Sequence, residues 1–323
     1  MTNKPKIWAL CDDRAGNVGQ CLGVAEALGM EFERKDIAYT ACAKLPNFIL
    51  GASLRGVDAK TKASLKAPWP DLVIAAGRRT ASVARYIKKE NKGQTKLVQI
   101  MHPGASGAKD FDLICVPAHD IHDLQENEIT MLGAPHRVTD RKLAEARDHW
   151  SPVFENLPHP RLALIVGGAT KNKVFDNDMA RTLGRDLNRL AKEQGGSLLV
   201  TTSRRTGQAA EAVLGEIDVP AHIFSWGQEG ENPYFGYLAC ADHIIVTGDS
   251  VSMCSEACAS EKPVSFYAPS DMISDKHQRM VKSLIDAGAG QLFEGKITQQ
   301  TGKKINAAVA ISSHITRLIK STY

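Results

Sequence analysis

Several signatures are missing from this 323-residue sequence, and each absence excludes a class of function. No G-x-G-x-x-G follows the first strand-like run, residues 7–10. The glycines after it fall at 16, 19 and 23, so the dinucleotide fingerprint is absent there, and so is the P-loop pattern. A large excess of charge of one sign is missing too. Lys+Arg minus Asp+Glu is 40 − 36 = +4, too little to argue for nucleic acid but compatible with an anionic ligand or an acidic membrane surface. The seven cysteines, at 11, 21, 42, 115, 240, 254 and 258, are odd in number and scattered, so a disulfide framework is not expected and a reducing compartment is. Cys254 and Cys258 share a helical face, but no second pair stands near them to complete a metal site. No uncharged run is long enough to span a bilayer, and Lys4 and Lys6 lead straight into a strand without an apolar signal region. The expected location is cytoplasmic, with peripheral association to the inner face of a membrane compatible.

What is present is the content of a globular protein, 43% hydrophobic and 24% charged, at a length that suggests two domains. The organising stretch is 244–257, IIVTGDSVSMCSEA. Ile244, Ile245 and Val246 are β-branched and predict a buried strand, and Gly248 permits a turn. Asp249 or Ser250 can cap the next helix, and Glu256 projects from about its second turn. Ser252 and Met253 lie in the first turn. A strand–turn–helix junction of this kind leaves free N–H groups for a phosphate, and a carboxylate further on can accept from ribose hydroxyls.

Strands are expected at 7–10, 31–37, 71–76, 96–101, 111–116 and 129–132, with a loop over 11–20 and helical segments at about 21–28, 45–65 (irregular) and 81–89. After a helix at 139–150 come three prolines within 151–160, read as a linker. Strands at 162–166, 197–201, 221–224, 244–246 and 263–267 then restart the pattern, with helices at 176–194 and 273–287 and a final amphipathic helix at 303–319. Alternation at this spacing predicts an α/β protein of two Rossmann-like, doubly wound parallel-sheet lobes facing a cleft. The expected division is 1–150, a linker at 151–160, a second lobe at 161–302, and a last helix, 303–323, packing back on the first lobe.

In such sheets the loops at the carboxyl ends of the strands line the ligand crevice. In the second lobe these loops carry Gly167-Gly168, Ser203-Arg204-Arg205-Thr206, Trp226 and the 248–256 junction. Glycine lets backbone approach a phosphate, arginine pairs with its oxygens, serine and threonine add donors, and an indole can stack on a base. In the first lobe they carry Asp12, Arg14, Gly16, Asn17, Gly77, Arg78, His102, His119-Asp120 and His136. Asp12, His102, His119 and Asp120 are the candidates for a general base. His119, His122, Asp120 and Asp123 also allow a metal, set aside because no rigid element aims them.

These residues resemble a known family. Trp8-x-Leu10-x-Asp12-x-Arg14-x-Gly16-Asn17-x-x-Gln20, Ala25-Glu26-Ala27-Leu28-Gly29, Gly77-Arg78, Pro117-x-His119-Asp120 and Gly133-Ala134-Pro135-His136 are similar to the Elm-type mitochondrial-fission proteins. So are Thr202-Ser203-Arg204-Arg205-Thr206, Asn232-Pro233-Tyr234 and the 248–257 motif. The likeness runs from residue 8 to about 267. Bacterial members of that family carry the label of predicted nucleoside-diphosphate-sugar epimerases, and the plant member is known as an adaptor that recruits a dynamin-related protein to mitochondria. The second half also resembles the donor lobe of GT-B glycosyltransferases, notably the enzyme that adds N-acetylglucosamine to lipid I.

The resemblance implies a GT-B-like fold and a nucleoside-diphosphate sugar as substrate, with no resident cofactor or metal. Gly167 and Gly168 would face the diphosphate, residues 248–253 would cradle phosphate, and Glu256 would hold the ribose. Arg204 or Arg205 would stabilise the leaving diphosphate. Arg14, Gly16, Asn17, Gly77 and Arg78 would lie on the acceptor side, the acceptor being of lipid-linked or envelope-glycan type. Position 248 is Gly where retaining GT-B enzymes carry a first Glu, so inversion is expected. Tyr86 is followed by Lys88 and Lys89 rather than by Lys at position 90, so the Tyr-x-x-x-Lys epimerase pair is absent. The expected activity is glycosyl transfer. The alternatives are epimerisation on the same fold, or a non-catalytic adaptor.

Overall fold

The structure is a computed structural model and describes residues 4–120, 123–297 and 302–320. It divides into two compact units, one formed by residues up to 137 together with those from 306, the other by 138–305.

The first unit contains β1 (Ile7–Cys11), α1 (Ala15–Ala27), β2 (Glu33–Asp36), α2 (Asn47–Leu50), α3 (Ala59–Ser64), β3 (Leu72–Ala76), α4 (Arg78–Glu90), β4 (Lys96–Ile100), β5 (Leu113–Pro117) and β6 (Glu128–Met131). Its sheet is parallel throughout, in the order β2-β1-β3-β4-β5-β6. The strand period of two sorts β1 between the sheet faces. Ile7, Ala9 and Cys11 join a core with Val24 of α1, while Trp8 and Leu10 join one with Val83, Ala84 and Ile87 of α4. The helix expected over 45–65 is instead two short helices. Pro46 precedes the first, Gly51 stops it at φ 56°, and Gly56 packs against Ala43 so closely that a Cβ would lie 2.9 Å from the Ala43 Cα.

The second unit contains α5 (Asp140–Trp150), β7 (Arg161–Val166), α6 (Asn177–Glu193), β8 (Ser197–Thr202), α7 (Ala209–Leu214), β9 (Ala221–Phe224), α8 (Tyr234–Cys240), β10 (His243–Thr247), α9 (Val251–Ala257), β11 (Val264–Tyr267), α10 (Asp275–Asp286) and β12 (Gln291–Leu292). Its sheet is also parallel, in the order β12-β11-β10-β7-β8-β9. Strands β7, β8 and β10 are buried along their whole length, as a sheet covered by helices on both faces requires. The two-residue β12 has no counterpart in the sequence expectation, being too short to carry a periodic signal. The helix α5 and the Pro-rich 151–160 lie inside this unit, so the division falls at 137/138 rather than at a proline linker. Trp150 and Phe154 stack at 5.8 Å, and Phe154 meets Tyr237 of α8 at 5.7 Å, which ties that segment into the second core.

The last helix, α11 (Ala307–Lys320), belongs to the first unit, where Ile311 and Ile315 enter the core beside α1. It begins at Ala307, four residues after the start expected from periodicity. Six of the seven cysteines are buried free thiols, and Cys42 is exposed.

Candidate functional site

Strand order determines where each sheet can hold a ligand. In open α/β sheets the crevice opens beyond the carboxyl ends of two neighbouring strands whose connections leave in opposite directions. In the second unit those strands are β7 and β10, followed by Gly167-Gly168 and Gly248-Asp249. In the first they are β1 and β3, followed by Asp12 and by Gly77.

In the second unit the junction after β10 is built around Asp249, whose side chain is fully buried. Its Oδ2 accepts the Gly168 N–H at 3.0 Å and meets Arg205 Nη1 at 2.7 Å, while Oδ1 has no partner among the described residues. A Cβ at Gly167 would lie 2.3 Å from both Asp249 oxygens, and one at Gly168 (φ 145°) would lie 2.2 Å from the Arg205 carbonyl oxygen. Space left by the glycines is therefore taken by the chain itself, not left open for phosphate. Ser203 and Thr206 are likewise spent on the loop: each hydroxyl donates to the Gly167 carbonyl, at 2.6 and 2.5 Å, and Thr206 Oγ1 accepts the Ser203 N–H at 2.9 Å. What remains outward is cationic. Arg205 is about a third exposed, and Arg204 is exposed.

Ser250, not Asp249, caps α9, accepting the Met253 N–H at 3.4 Å; Ser252 and Met253 are half-buried in the first turn. Gly248 is fixed by packing, since a Cβ would press on Ala268 at 3.0 Å. Glu256 Oε2 accepts from the Tyr234 hydroxyl at 2.5 Å. Burial pushes the Glu256 carboxyl above the usual carboxylate range, and the Tyr234 hydroxyl pulls it part of the way back. Burial and the neighbouring Glu256 charge push the Tyr234 phenol well up. The indole of Trp226 is 64% exposed, held by its backbone N–H donating to Thr202 Oγ1 at 2.9 Å. It is a surface platform rather than a core aromatic.

Two residues here escaped the sequence reading. Tyr234 was visible only as part of Asn232-Pro233-Tyr234, where Asn232 Oδ1 accepts the Tyr234 N–H and fixes the turn. His277 lies in the first turn of α10, with Nδ1 bonded to Ser274 Oγ at 2.8 Å. Burial lowers its pKa, and the Asp249 charge acts against that shift. Nothing local in the sequence links position 277 to position 249.

In the first unit Asp12 is buried and accepts three donors: Arg14 N–H at 2.9 Å, Asn17 Nδ2 at 2.8 Å and Arg79 Nη2 at 3.2 Å. Arg79 also pairs with Asp13 and lies over the Tyr39 ring at 4.5 Å. A Cβ at Gly77 (φ 83°) would strike Asn17 Nδ2 at 2.5 Å, so glycine is required there. The arginine facing this cluster is Arg79, not the expected Arg78. Arg78 donates instead to the carbonyls of Leu45 at 2.7 Å and Ala43 at 3.0 Å, clamping the segment before α2. Arg14 and Gly16 are exposed at the start of α1.

His102 lies in the loop after β4. Its Nδ1 accepts the Gly104 N–H at 3.1 Å, and its Nε2 faces the buried Glu128 carboxylate at 3.2 Å. With both nitrogens engaged it is a structural latch beside a cavity of about 830 Å³ lined by Lys109, Asp112 and Asn127. His119 is buried and Asp120 half-buried in the turn after β5. His122 lies outside the described residues. Among those described, no group of three His, Cys, Asp or Glu side chains could hold a metal, and no helix is long and apolar enough to cross a membrane.

Residues 15–319 match the family model described as mitochondrial fission ELM1. An uncharacterized protein of Rickettsia prowazekii is 30% identical over 97% of this chain and 98% of its own length. The mitochondrial fission protein ELM1 of Arabidopsis thaliana is also 30% identical, over 76% of this chain and 62% of its own. Among solved structures, the UDP-GlcNAc 2-epimerase of Methanocaldococcus jannaschii shares the fold at TM-score 0.55 and 12% identity, covering 98% of this chain and 99% of that one. MurG of Acinetobacter baumannii does so at 0.51 and 15%, covering 97% and 100%. These likenesses bear out the two-lobed, GT-B-like α/β fold.

Proposed function

The chain belongs to the mitochondrial fission ELM1 family, and on that premise we propose that its second unit binds a nucleoside diphosphate sugar and that its chemistry is glycosyl transfer. The observation that carries this reading is the placement, beyond the carboxyl ends of β7 and β10, of Arg205 held by Asp249 and of the Ser250-capped turn that leads to Glu256, with the exposed Trp226 in the loop after β9 of the same sheet. Arg204 and Arg205 would meet the diphosphate and stabilise it as it leaves. The second oxygen of Glu256 would accept from a ribose hydroxyl, and Trp226 would stack on the base. Transfer would be inverting and need no resident metal, to an acceptor of lipid-linked or envelope-glycan type.

A second reading, a binding or adaptor protein without turnover, is favoured by the engagement of Asp12 and His102. Three donors on one carboxylate and two partners on one imidazole leave neither group placed as a base.

Thermal unfolding against a panel of nucleotides and sugar nucleotides tests the binding. A ligand at a hundred times its Kd adds about 2.7 kcal/mol, which raises Tm by roughly 5–10 °C in a unit of this size. The shift is expected with one diphosphate family and is reduced in Glu256→Ala, each variant being referred to its own unliganded Tm. Trp226→Ala is expected to weaken binding by about 1–3 kcal/mol without changing unliganded stability, because the ring is mostly in water. Absence of any shift in the wild type would defeat the nucleotide reading. Incubation with donor alone then separates the reactions: epimerisation proceeds without an acceptor, transfer does not, and the adaptor turns nothing over.

A further inference from the structure

An exposed apolar tip on the first unit adjoins a basic surface. In α2 the side chains of Asn47 and Leu50 point inward, and Phe48 and Ile49 outward, 71% and 43% exposed; Leu45 before them is 40% exposed. The tip is held rigidly. Asn47 Nδ2 donates to the carbonyls of Pro103 at 2.7 Å and Arg78 at 3.1 Å, and the Arg78 guanidinium grips the carbonyls of Ala43 and Leu45. A protein that needed these side chains only for its core would not fix them facing water.

The charge around the tip is one-sided. Residues 40–66 carry Lys44, Arg55, Lys60, Lys62 and Lys66 against Asp58 alone, 5 − 1 = +4, which equals the net charge of the whole chain. All five cations are exposed, while Asp58 is committed to capping α3. Ala52, two residues beyond α2, lines a depression of about 460 Å³ with Arg85, Lys88, Lys89, Lys109 and Asp110. Arg85 is held by Asp110 at 2.6 Å and Lys88 by Asp112 at 2.8 Å, so the acidic groups there are already occupied. Lys89 and Lys109 extend into solvent.

We infer that this face docks on an anionic phospholipid bilayer, with Leu45, Phe48 and Ile49 entering the headgroup boundary and the basic depression receiving a lipid phosphate. Three apolar side chains are too small a core for a stable protein interface, which takes about 800 Å² from each partner. They suit a bilayer, where a shallow apolar insertion and a diffuse cationic patch supply the two signals that together give stable peripheral anchoring. Flexible lysines, rather than arginines posed for bidentate pairing, predominate, as a fluid headgroup layer permits. The inference is independent of what the second unit binds.

Co-sedimentation with vesicles tests it, using phosphatidylcholine alone and phosphatidylcholine mixed with phosphatidylglycerol. The wild type is expected to pellet only with the anionic vesicles and to be released by salt. Phe48→Ser with Ile49→Ser should lower the partition coefficient about tenfold, and Lys89→Glu with Lys109→Glu by roughly thirtyfold or more. Both pairs change exposed side chains, so unliganded Tm and any nucleotide-induced shift should stay as in the wild type. No binding to anionic vesicles at low salt would overturn the inference, as would undiminished binding by both double variants. A wild-type dimer in light scattering that Phe48→Ser converts to monomer would also overturn it, assigning the face to a second copy of the chain.

Discussion

Asp249 ties together three loops of the second unit, so its removal has a calculable consequence. In Asp249→Ala the Gly168 N–H loses its acceptor, a buried unsatisfied donor that costs about 1–3 kcal/mol. Arg205 loses its counter-ion as well. A fully buried pair broken on one side costs about 3–5 kcal/mol, but Arg205 is about a third exposed and can turn toward water, which reduces that term. The combined effect is about 3 kcal/mol. The unit spans 138–305, a size at which 1 kcal/mol corresponds to about 2–4 °C, so Tm should fall by about 6–12 °C. Asp249→Asn keeps an acceptor for Gly168 and loses only the charge, for about 1–2 kcal/mol. Calorimetric unfolding of both variants, with Arg205→Met completing a double-mutant cycle, should give a coupling energy of about 1–3 kcal/mol. An Asp249→Ala protein within about 2 °C of wild type, or single effects that simply add, would refute the loop-tying role.

Two pH effects follow from buried groups. The folded Glu256 pKa lies above its unfolded value, so the contribution of this group is fully present below the ordinary carboxylate range and is lost as pH rises through the raised value. Glu256→Gln should therefore gain on the wild type as pH rises above the ordinary carboxylate range in Tm–pH profiles; a constant difference would contradict the shift. Tyr234→Phe removes the one hydroxyl that favours the carboxylate, and should cost about 1.5–3 kcal/mol at neutral pH but little in acid. His243 is held down to about 4 by burial. A depressed histidine stabilises above its unfolded pKa near 6.5 and loses that stabilisation as pH falls toward 4, a change of about 3 kcal/mol. His243→Gln should flatten this part of the profile, and an unchanged acid limb would rule the residue out.

Much of the architecture was legible in the chain. The runs at 162–166 and 244–246 are continuous apolar segments, and 197–201 is apolar over 198–200, because both faces of their sheet are covered, and the structure has strands at all three. Ser250 was legible as a cap, since a short hydroxyl before a helical run satisfies an otherwise free N–H. The 45–65 segment misled because its apolar spacing is helical while Pro46, Gly51 and Gly56 interrupt it every few residues. The division of the chain misled because prolines at 152, 158 and 160 suggest a linker; the aromatic contacts of Trp150 and Phe154 that place the segment in the second core are long-range.

The sequence by itself determined which elements form and that polar, glycine-rich loops follow the strands, because periodicity, capping and turn chemistry act between neighbours a few residues apart. Only the tertiary structure decided which side chains those loops leave for a ligand. Gly167 and Gly168 make room for Asp249 and Arg205, about 80 and 40 residues away; Ser203 and Thr206 serve the same loop; Arg78 holds a backbone while Arg79 faces Asp12. A hydroxyl or guanidinium has a fixed number of hydrogen bonds to give, and which partner claims them depends on distances that no local pattern encodes.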